Sequence, residues 1–317
     1  MAHGGRRLAI TGAFGYIGTQ VLNRLERGDD FERIICVDIE RRRRTLPDRF
    51  EFHRCDVREG ERFRDILEKA GVDTVLHLAF VANPMRDTAL EYDIDVEGSR
   101  NVIGAAEKLG VRRLVVASSD TVYGFFEGTE DHLTEDAPLR ATRGFSYAEN
   151  KVEMEALVAA FASRVPACAV VVLRPCIVMG PHMNNATGQS LRQPVIFSVC
   201  GYDPIMQFVH EEDVGEAFYL ALTSEAEGIF NLAADKGVRL SRMARIMKKP
   251  LVPLPAWLSY PIVEVLYRLG LLPFGSSQLD YIRYPMSMDS HRIRRVLGFF
   301  PRYTSQETLE SFRDARP

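Results

Sequence analysis

Short apolar runs alternate with helix-length amphipathic stretches through the first half of the chain. Residues 7–11, 33–38, 51–54, 74–79, 113–117 and 169–173 read as strands, and 16–27, 62–70 and 96–109 as helices between most of them. Strands that alternate with helices imply crossover connections and a parallel sheet covered on both faces. The predicted fold class is α/β, a doubly wound parallel sheet. After about residue 174 the rhythm changes: Pro175, Gly180, Pro181, Gly188, Pro194, Gly201 and Pro204 interrupt it before helices and short strands return. This predicts a first domain over 1–174, which also receives later segments, and a smaller lobe over 175–317 that completes a pocket. No fixed-period repeat and no low-complexity segment is visible.

The segment Thr11-Gly12-Ala13-Phe14-Gly15-Tyr16-Ile17-Gly18 follows the first predicted strand and opens the first predicted helix. Glycines there let the backbone turn tightly, approach a pyrophosphate and pack the helix on the sheet, while the helix N-terminus aims N–H groups at phosphates. The spacing is GxxGxxG rather than GxGxxG, and a lone triplet also suits a plain strand-to-helix turn. Asp38 adds to it, ending the second strand twenty positions after Gly18, where an acidic group holds the adenosine ribose hydroxyls. An ordinary strand-end aspartate is the competing reading; position and context favour the ligand role.

Asp38 also favours NAD, because a 2′-phosphate would meet its negative charge. The run Arg41-Arg42-Arg43-Arg44 reads as a solvated loop, but Arg41 or Arg42 folded over the ribose would leave NADP open. Asp56 and Val57, after the third strand, are placed to bracket an adenine. His77-Leu78-Ala79-Phe80 ends the fourth strand at the carboxyl edge of the sheet, where ligands sit in such folds. His77 has no metal-ligand partner at useful spacing and reads as structural. The whole predicts a Rossmann-type sheet with a smaller C-terminal substrate-binding lobe.

Tyr147 and Lys151 are four residues apart, so on a helix they share a face. A phenol titrates near pH 10 in water, and a neighbouring ammonium favours its ionised form. This predicts a tyrosine with a lowered pKa acting as a base. The strand before Ser118-Ser119 leads to the same sheet edge, where Ser119 is placed to hydrogen-bond the oxygen that Tyr147 protonates or deprotonates.

Taken together, TGAFGYIG, Asp38, Cys55-Asp56-Val57, His77 to Phe80, Ala117-Ser118-Ser119-Asp120-Thr121-Val122-Tyr123-Gly124 and Tyr147-Ala148-Glu149-Asn150-Lys151 come in a telling order. Leu173-Arg174-Pro175 with Gly180-Pro181, then Gln207-Phe208-Val209-His210 with Asp213-Val214, continue it. The chain resembles the extended branch of the short-chain dehydrogenase/reductase family, the group of NAD-dependent nucleotide-sugar epimerases and dehydratases. The resemblance covers about 8–232, with a weaker match at Met288-Asp289-Ser290 and Leu297-Gly298-Phe299.

The resemblance implies a catalytic triad of Ser119, Tyr147 and Lys151. It implies cofactor contacts at Gly12, Gly15, Tyr16, Ile17, Gly18, Asp38, Asp56, Val57, Leu78, Ala79, Phe80, Ala117, Tyr147, Lys151 and Pro175. Tyr147 then takes a proton from a substrate hydroxyl as hydride passes to NAD, and in an epimerase the transient ketone receives the hydride on its other face. A homodimer is also implied, pairing the helix after Asp95 with the helix that carries Tyr147, whose Val152, Met154, Ala156, Leu157, Ala159, Ala160 and Phe161 are apolar or small.

Several positions depart from the family pattern. Asp95 replaces an asparagine. Asp120 stands where the dehydratases carry an acid, but Thr121 replaces their glutamate base, so an epimerase-like reaction is favoured over elimination. Gln207 replaces an arginine that clamps a substrate diphosphate, and Arg283 is the nearest candidate for a second clamp. A small-molecule substrate is expected, nucleotide-sugar in the leading reading. The alternative is a dehydrogenase or reductase of a less charged alcohol or ketone, its pocket lined by Trp257, Leu258, Tyr260, Ile262, Val263, Leu266 and Tyr267. A cofactor-binding regulator without catalysis is disfavoured by the complete triad.

Composition narrows the remaining classes. The 317 residues carry 40 basic and 43 acidic side chains, a net charge of −3 that gives no reason for a nucleic-acid surface. Five scattered cysteines (Cys36, Cys55, Cys168, Cys176, Cys200) form no CxxC pair and predict free thiols, no metal site and a reducing, cytoplasmic location. The N-terminus lacks a signal-peptide pattern. Residues 255–272 are the most apolar late segment, yet Pro261, Glu264 and Arg268 make them too short and too charged to span a bilayer. They predict an amphipathic helix covering a core or a pocket, with membrane-surface contact as the lesser alternative.

Overall fold

Leu8 and Ile10 pack on one side of the first strand and Ala9 on the other, and the two halves of the core follow from that alternation. The computed structural model describes residues 5–41, 45–83, 85–129, 131–234, 236–272 and 274–315. Strands β1 (Arg7–Thr11), β2 (Arg33–Asp38), β3 (Phe50–Arg54), β4 (Thr74–His77), β5 (Arg113–Ala117) and β6 (Ala169–Pro175) alternate with helices α1 (Tyr16–Leu25), α2 (Gly60–Ala70), α3 (Thr88–Tyr92), α4 (Gly98–Leu109) and α5 (Ser146–Arg164).

Beyond β6 come β7 (Ile177–Met179), α6 (Ala186–Arg192), β8 (Ile196–Val199), β9 (Ile205–Met206), β10 (Phe208–His210), α7 (Glu211–Thr223), β11 (Gly228–Leu232) and β12 (Val238–Arg239). The chain finishes with α8 (Leu240–Ile246), β13 (Leu251–Leu254), α9 (Ala256–Arg268), α10 (His291–Leu297) and α11 (Ser305–Asp314).

The central seven-stranded sheet has the order β11-β6-β5-β4-β1-β2-β3, and every pair in it is parallel. Helices α1 and α7 pack together, as do α2 with α4 and α4 with α5. Val21, Leu22 and Phe218 join Leu8 and Ile10 in one core; Phe63, Val102 and Phe161 join Ala9 in the other. This is the doubly wound Rossmann-type architecture that the alternation predicts. The strand order reverses between β1 and β4, which opens a crevice at their carboxyl ends.

Local differences from the predicted elements have local causes. Strand β4 stops at His77, not at residue 79: the Leu78 N–H still reaches the Thr11 carbonyl (3.1 Å), but that of Ala79 turns to the Thr11 hydroxyl (3.3 Å). Helix α4 begins at Gly98, because residues 93–97 form one π-helical turn that joins α3 to it.

The C-terminal segments build three two-stranded pairs, β7 with β10, β9 with β12 and β8 with β13. Met179, Met183, Phe208, Leu240, Leu309 and Phe312 form their own core. Helix α11, which packs on β10, opens with a capping box in which the Thr304 side chain and the Glu307 backbone, and the Glu307 side chain and the Thr304 backbone, bond reciprocally. Helix α9 forms within the apolar late segment, but Trp257, Leu258, Ile262 and Val265 are exposed, so the expected pocket lining is corrected at Trp257, Leu258 and Ile262. Among the described residues, no helix is long and apolar enough to cross a membrane.

Candidate functional site

The turn from β1 into α1 is built around glycines that admit no side chain. Gly12 has φ +65°, and a Cβ on it would lie 2.8 Å from the Leu78 carbonyl carbon. A Cβ on Gly18 would lie 2.3 Å from the Gly12 oxygen. Gly15 caps α1 and no side chain caps it in turn, so the first-turn N–H groups from Tyr16 to Gly18 remain available for an anion. The cradle fits a pyrophosphate. The Tyr16 side chain is otherwise engaged, its hydroxyl donating to the Glu211 carboxylate at 2.6 Å.

Asp38 stands at the end of β2 beside this turn, its carboxylate accepting the N–H of Phe14 (2.8 Å) and of Ile39 (2.8 Å). A carboxylate has about four acceptor sites, so capacity for ribose hydroxyls remains. Arg41 lies against the Phe52 ring, with its guanidinium 6.0 Å from the centroid; Arg42 to Arg44 lie outside the described residues. Asp56 forms an ion pair with Arg58 at 2.8 Å, which lowers its pKa, and Val57 beside it is buried.

His77 is buried between Thr11 (2.7 Å) and Ser99 (3.0 Å). Ser99 gives its proton to the Asp95 carbonyl, so His77 donates from Nε2 and accepts from Thr11 at Nδ1. Burial, and then Lys151, hold its pKa down at about 3, as suits a neutral structural imidazole.

Tyr147 and Lys151 both project from the first turns of α5. The Lys151 ammonium donates to the Ala117 carbonyl at 2.7 Å, at the end of β5. It sits 3.0 Å from the centroid of the Phe80 ring and 5.7 Å from that of Tyr147. Burial pushes Lys151 down to about 7, against the opposing pull of Asp95 and Glu155.

Burial also pushes the Tyr147 phenol well above its ordinary value, and Asp95, Asp120 and Glu91 push it further, with the Ser119 hydroxyl acting against them. The sequence predicted a phenol lowered by its ammonium neighbour. Desolvation outweighs that effect here, and the ammonium is engaged by Phe80 and Ala117. Phe80 and Ala117, expected at the cofactor, thus also support Lys151. Pro175 ends β6 opposite Leu232 of β11.

Two buried carboxyls near Tyr147 were not assigned a role from the sequence. Asp95 accepts the Val81 N–H (2.8 Å) and an Asn150 amide N–H (3.3 Å), which is how this departure holds backbone. Glu91 accepts the Ser146 hydroxyl at 3.0 Å. Burial raises both above the usual carboxylate range. Asp95 was visible only as a departure from a motif; Glu91, in a five-residue helix, had no sequence signal.

Asp120 is buried and raised to about 7 by desolvation, which the Ser119 hydroxyl at 3.1 Å partly opposes. It lines a small cavity with Phe125, Ile177, Met206, Gln207, Tyr281 and Tyr284. Gln207 is fully occupied: its amide donates to the Met288 carbonyl (3.1 Å) and accepts the Met288 N–H (2.6 Å). Arg283 is held by the hydroxyls of Tyr202 (3.1 Å) and Tyr260 (3.4 Å) and adjoins Tyr284 at the cavity wall.

The remaining motif residues brace the site. Arg174 is buried in a two-pronged pair with Glu155 (2.8 and 2.5 Å) and also donates to the Tyr123 hydroxyl. Asp213 accepts the backbone N–H groups of Arg302 and Tyr303, fastening the C-terminal segment to α7.

The glycine cradle, the strand-end acid and the Ser119, Tyr147 and Lys151 side chains therefore meet at one sheet edge, and known proteins share the arrangement of the fold. An uncharacterized protein of Mycobacterium tuberculosis is 28% identical over 309 residues, 96% of this chain and 82% of that protein. The crystal structure of UDP-glucose 4-epimerase with UDP-glucose from Thermotoga maritima superposes with a TM-score of 0.76 at 20% identity, covering 98% of each chain. UDP-glucose 4-epimerase from Thermus thermophilus, in complex with NAD, gives 0.75 at 23% identity, also over 98% of each chain. The NAD dependent epimerase/dehydratase family model matches residues 8–233, from β1 through β11, and the chain belongs to that family.

Proposed function

We propose that this protein is an NAD-dependent oxidoreductase that works at a secondary carbinol, with Tyr147 carrying the proton. The observation that carries the reading is the meeting of Ser119, Tyr147 and Lys151 beside an uncapped glycine turn. Gly12, Gly15, Gly18 and the first-turn N–H groups of α1 hold the pyrophosphate, Asp38 the adenosine ribose, and Lys151 the nicotinamide ribose. NAD supplies a hydride acceptor and donor when bound; Asp38 favours it over NADP.

The chain's own residues handle the proton. The raised pKa keeps the Tyr147 phenol protonated at neutral pH in the free protein, ready to donate to a carbonyl oxygen. In the reverse step, oxidation of the carbinol, the deprotonated Tyr147 oxygen takes the substrate hydroxyl's proton as hydride leaves the carbon, and the Ser119 hydroxyl orients the substrate oxygen during both. Lys151, fixed by Ala117 and brought down to about 7 by burial, holds an amine that titrates near neutral pH beside this centre.

A nucleotide-sugar is the leading substrate, and epimerisation the leading reaction, in line with the structural neighbour that holds UDP-glucose. A less charged alcohol or ketone is the second reading, supported by a specific observation: Gln207 is neutral and spends its amide on Met288. The protein is proposed to pair through α4 and α5. Ala156, Ala159 and Ala160 are exposed on α5, whereas Met154 and Phe161, counted from the sequence, are buried within one chain.

Tyr147→Phe should cut turnover by about 10²–10⁴-fold while NAD affinity, measured by calorimetry, stays within about threefold of wild type. Unchanged turnover would remove the tyrosine from the mechanism. UDP- and dTDP-sugars should stabilise the NAD-loaded protein, by about 2.7 kcal/mol at a hundredfold excess over Kd. A thermal shift from no nucleotide sugar would favour the second reading.

A further inference from the structure

Helix α9 is built inside out. Two of its polar side chains turn to the protein: the Tyr260 hydroxyl donates to Asp280 at 2.6 Å, and Glu264 accepts from Ser276 at 3.1 Å, while Arg268 is exposed. Several of its large apolar side chains turn to solvent, with Trp257 77% exposed, Ile262 47% and Val265 53%, and Leu269 and Leu271 just beyond the helix are exposed too, while Val263, Leu266 and Tyr267 are half-buried. The spacing 257, 261/262, 265, 269 places these on one helical face. A lone exposed leucine needs no explanation, but a continuous apolar face does.

We propose that α9 is an in-plane anchor that docks this protein on an anionic lipid surface. At thirteen residues it is about 20 Å long, too short to span a bilayer and long enough to lie in its interface. Its tryptophan is of the residue type that prefers the headgroup boundary. The stretch of chain that contains it is basic, which suits anionic headgroups. Residues 241–272 carry Arg242, Arg245, Lys248, Lys249 and Arg268 against the single acid Glu264, in a chain whose net charge is −3; of these, Lys249 donates to the Leu191 and Gln193 carbonyls and Arg268 pairs with Glu264. Arg86 adds a further cation at the far end of the helix, with its guanidinium 6.0 Å from the Tyr267 ring centroid.

The side of α9 opposite the docked face is linked to the small cavity. Helix α9 packs on the 3₁₀ segment Ser276–Ile282, whose Tyr281 lines the cavity with Asp120. The proposal does not depend on the reaction assigned to that site.

Trp257 is the only tryptophan of the chain, so its fluorescence reports on this face alone. With vesicles of three parts phosphatidylcholine to one part phosphatidylglycerol, its emission should shift to the blue, and brominated lipids should quench it. The protein should float with these vesicles and much less with pure phosphatidylcholine. Val265→Glu should weaken flotation at least tenfold without changing the melting temperature. Arg86→Gln and Arg268→Gln should each weaken it by about fivefold at low salt.

No blue shift and no flotation would overturn the proposal. So would flotation that survives Val265→Glu, since another surface would then hold the lipid. A lipid-free blue shift that grows with protein concentration would assign the face to a second copy of the chain and overturn it as well.

Discussion

Around β1, β4 and α4, Thr11, His77, Ser99 and Asp95 form an unbroken buried chain of hydrogen bonds, whereas on α9 the apolar side chains stand in solvent. Both regions violate the simplest rule of polar outside and apolar inside, but they do so for different physical reasons. In the first, each buried polar group has a partner, so burial fixes geometry without leaving an unsatisfied group. Such a network can hold Tyr147 and Lys151 in place whatever occupies the pocket. In the second, the exposed face keeps its cost until something covers it. One region is organised from within the chain, and the other awaits a contact from outside it.

The largest expected effect breaks another fully partnered buried polar group, the pair of Glu155 with Arg174. Glu155→Gln leaves the Arg174 guanidinium buried without its anion, and should cost about 3–5 kcal/mol in urea unfolding. A loss below about 1 kcal/mol would mean that the pair is more hydrated than its burial indicates.

A smaller effect sharpens the view of Asp120. Its pKa in the folded protein is raised from 3.8 to about 7, so the folded state favours the neutral acid. Its contribution to stability is therefore full below about pH 3.8 and is lost as pH rises towards 7. Asp120→Asn should be more stable than wild type at pH 8, by about 1–3 kcal/mol, and the gap should close by pH 4. A gap independent of pH would show that the carboxyl is not titrating in this window.

The smallest effect belongs to α9. Val265→Ser should change unfolding free energy by no more than about 0.5 kcal/mol, as for other surface positions. A loss of 2 kcal/mol or more would show that the face is already covered in solution.

Much of the first half was legible from the chain alone. The boundaries of β1, β2 and β5 follow directly from apolar runs bounded by turn residues, and the glycine turn from its own spacing. These signals are local, because a strand or a tight turn depends on neighbouring residues. The helix carrying Tyr147 and Lys151 was legible for the same reason. The state of its side chains was not, since Glu91 and Asp95 reach Tyr147 from one segment and Asp120 from another, and none is its sequence neighbour.

Gln207 shows the limit from another side. Its sequence position marked it as a lost clamp, but its partner Met288 is eighty-one residues away. Sequence could register the missing charge and not the use made of the amide.

Local patterning by itself determined the parallel alternation, the cradle of Gly12, Gly15 and Gly18, and the pairing of Tyr147 with Lys151 on one helix. Tertiary structure alone decided how far Lys151 and Asp120 are desolvated and which side of α9 faces outward. The reason is physical: periodicity fixes which side chains share a face, but only packing against distant segments decides whether that face meets water, a charge or another side chain.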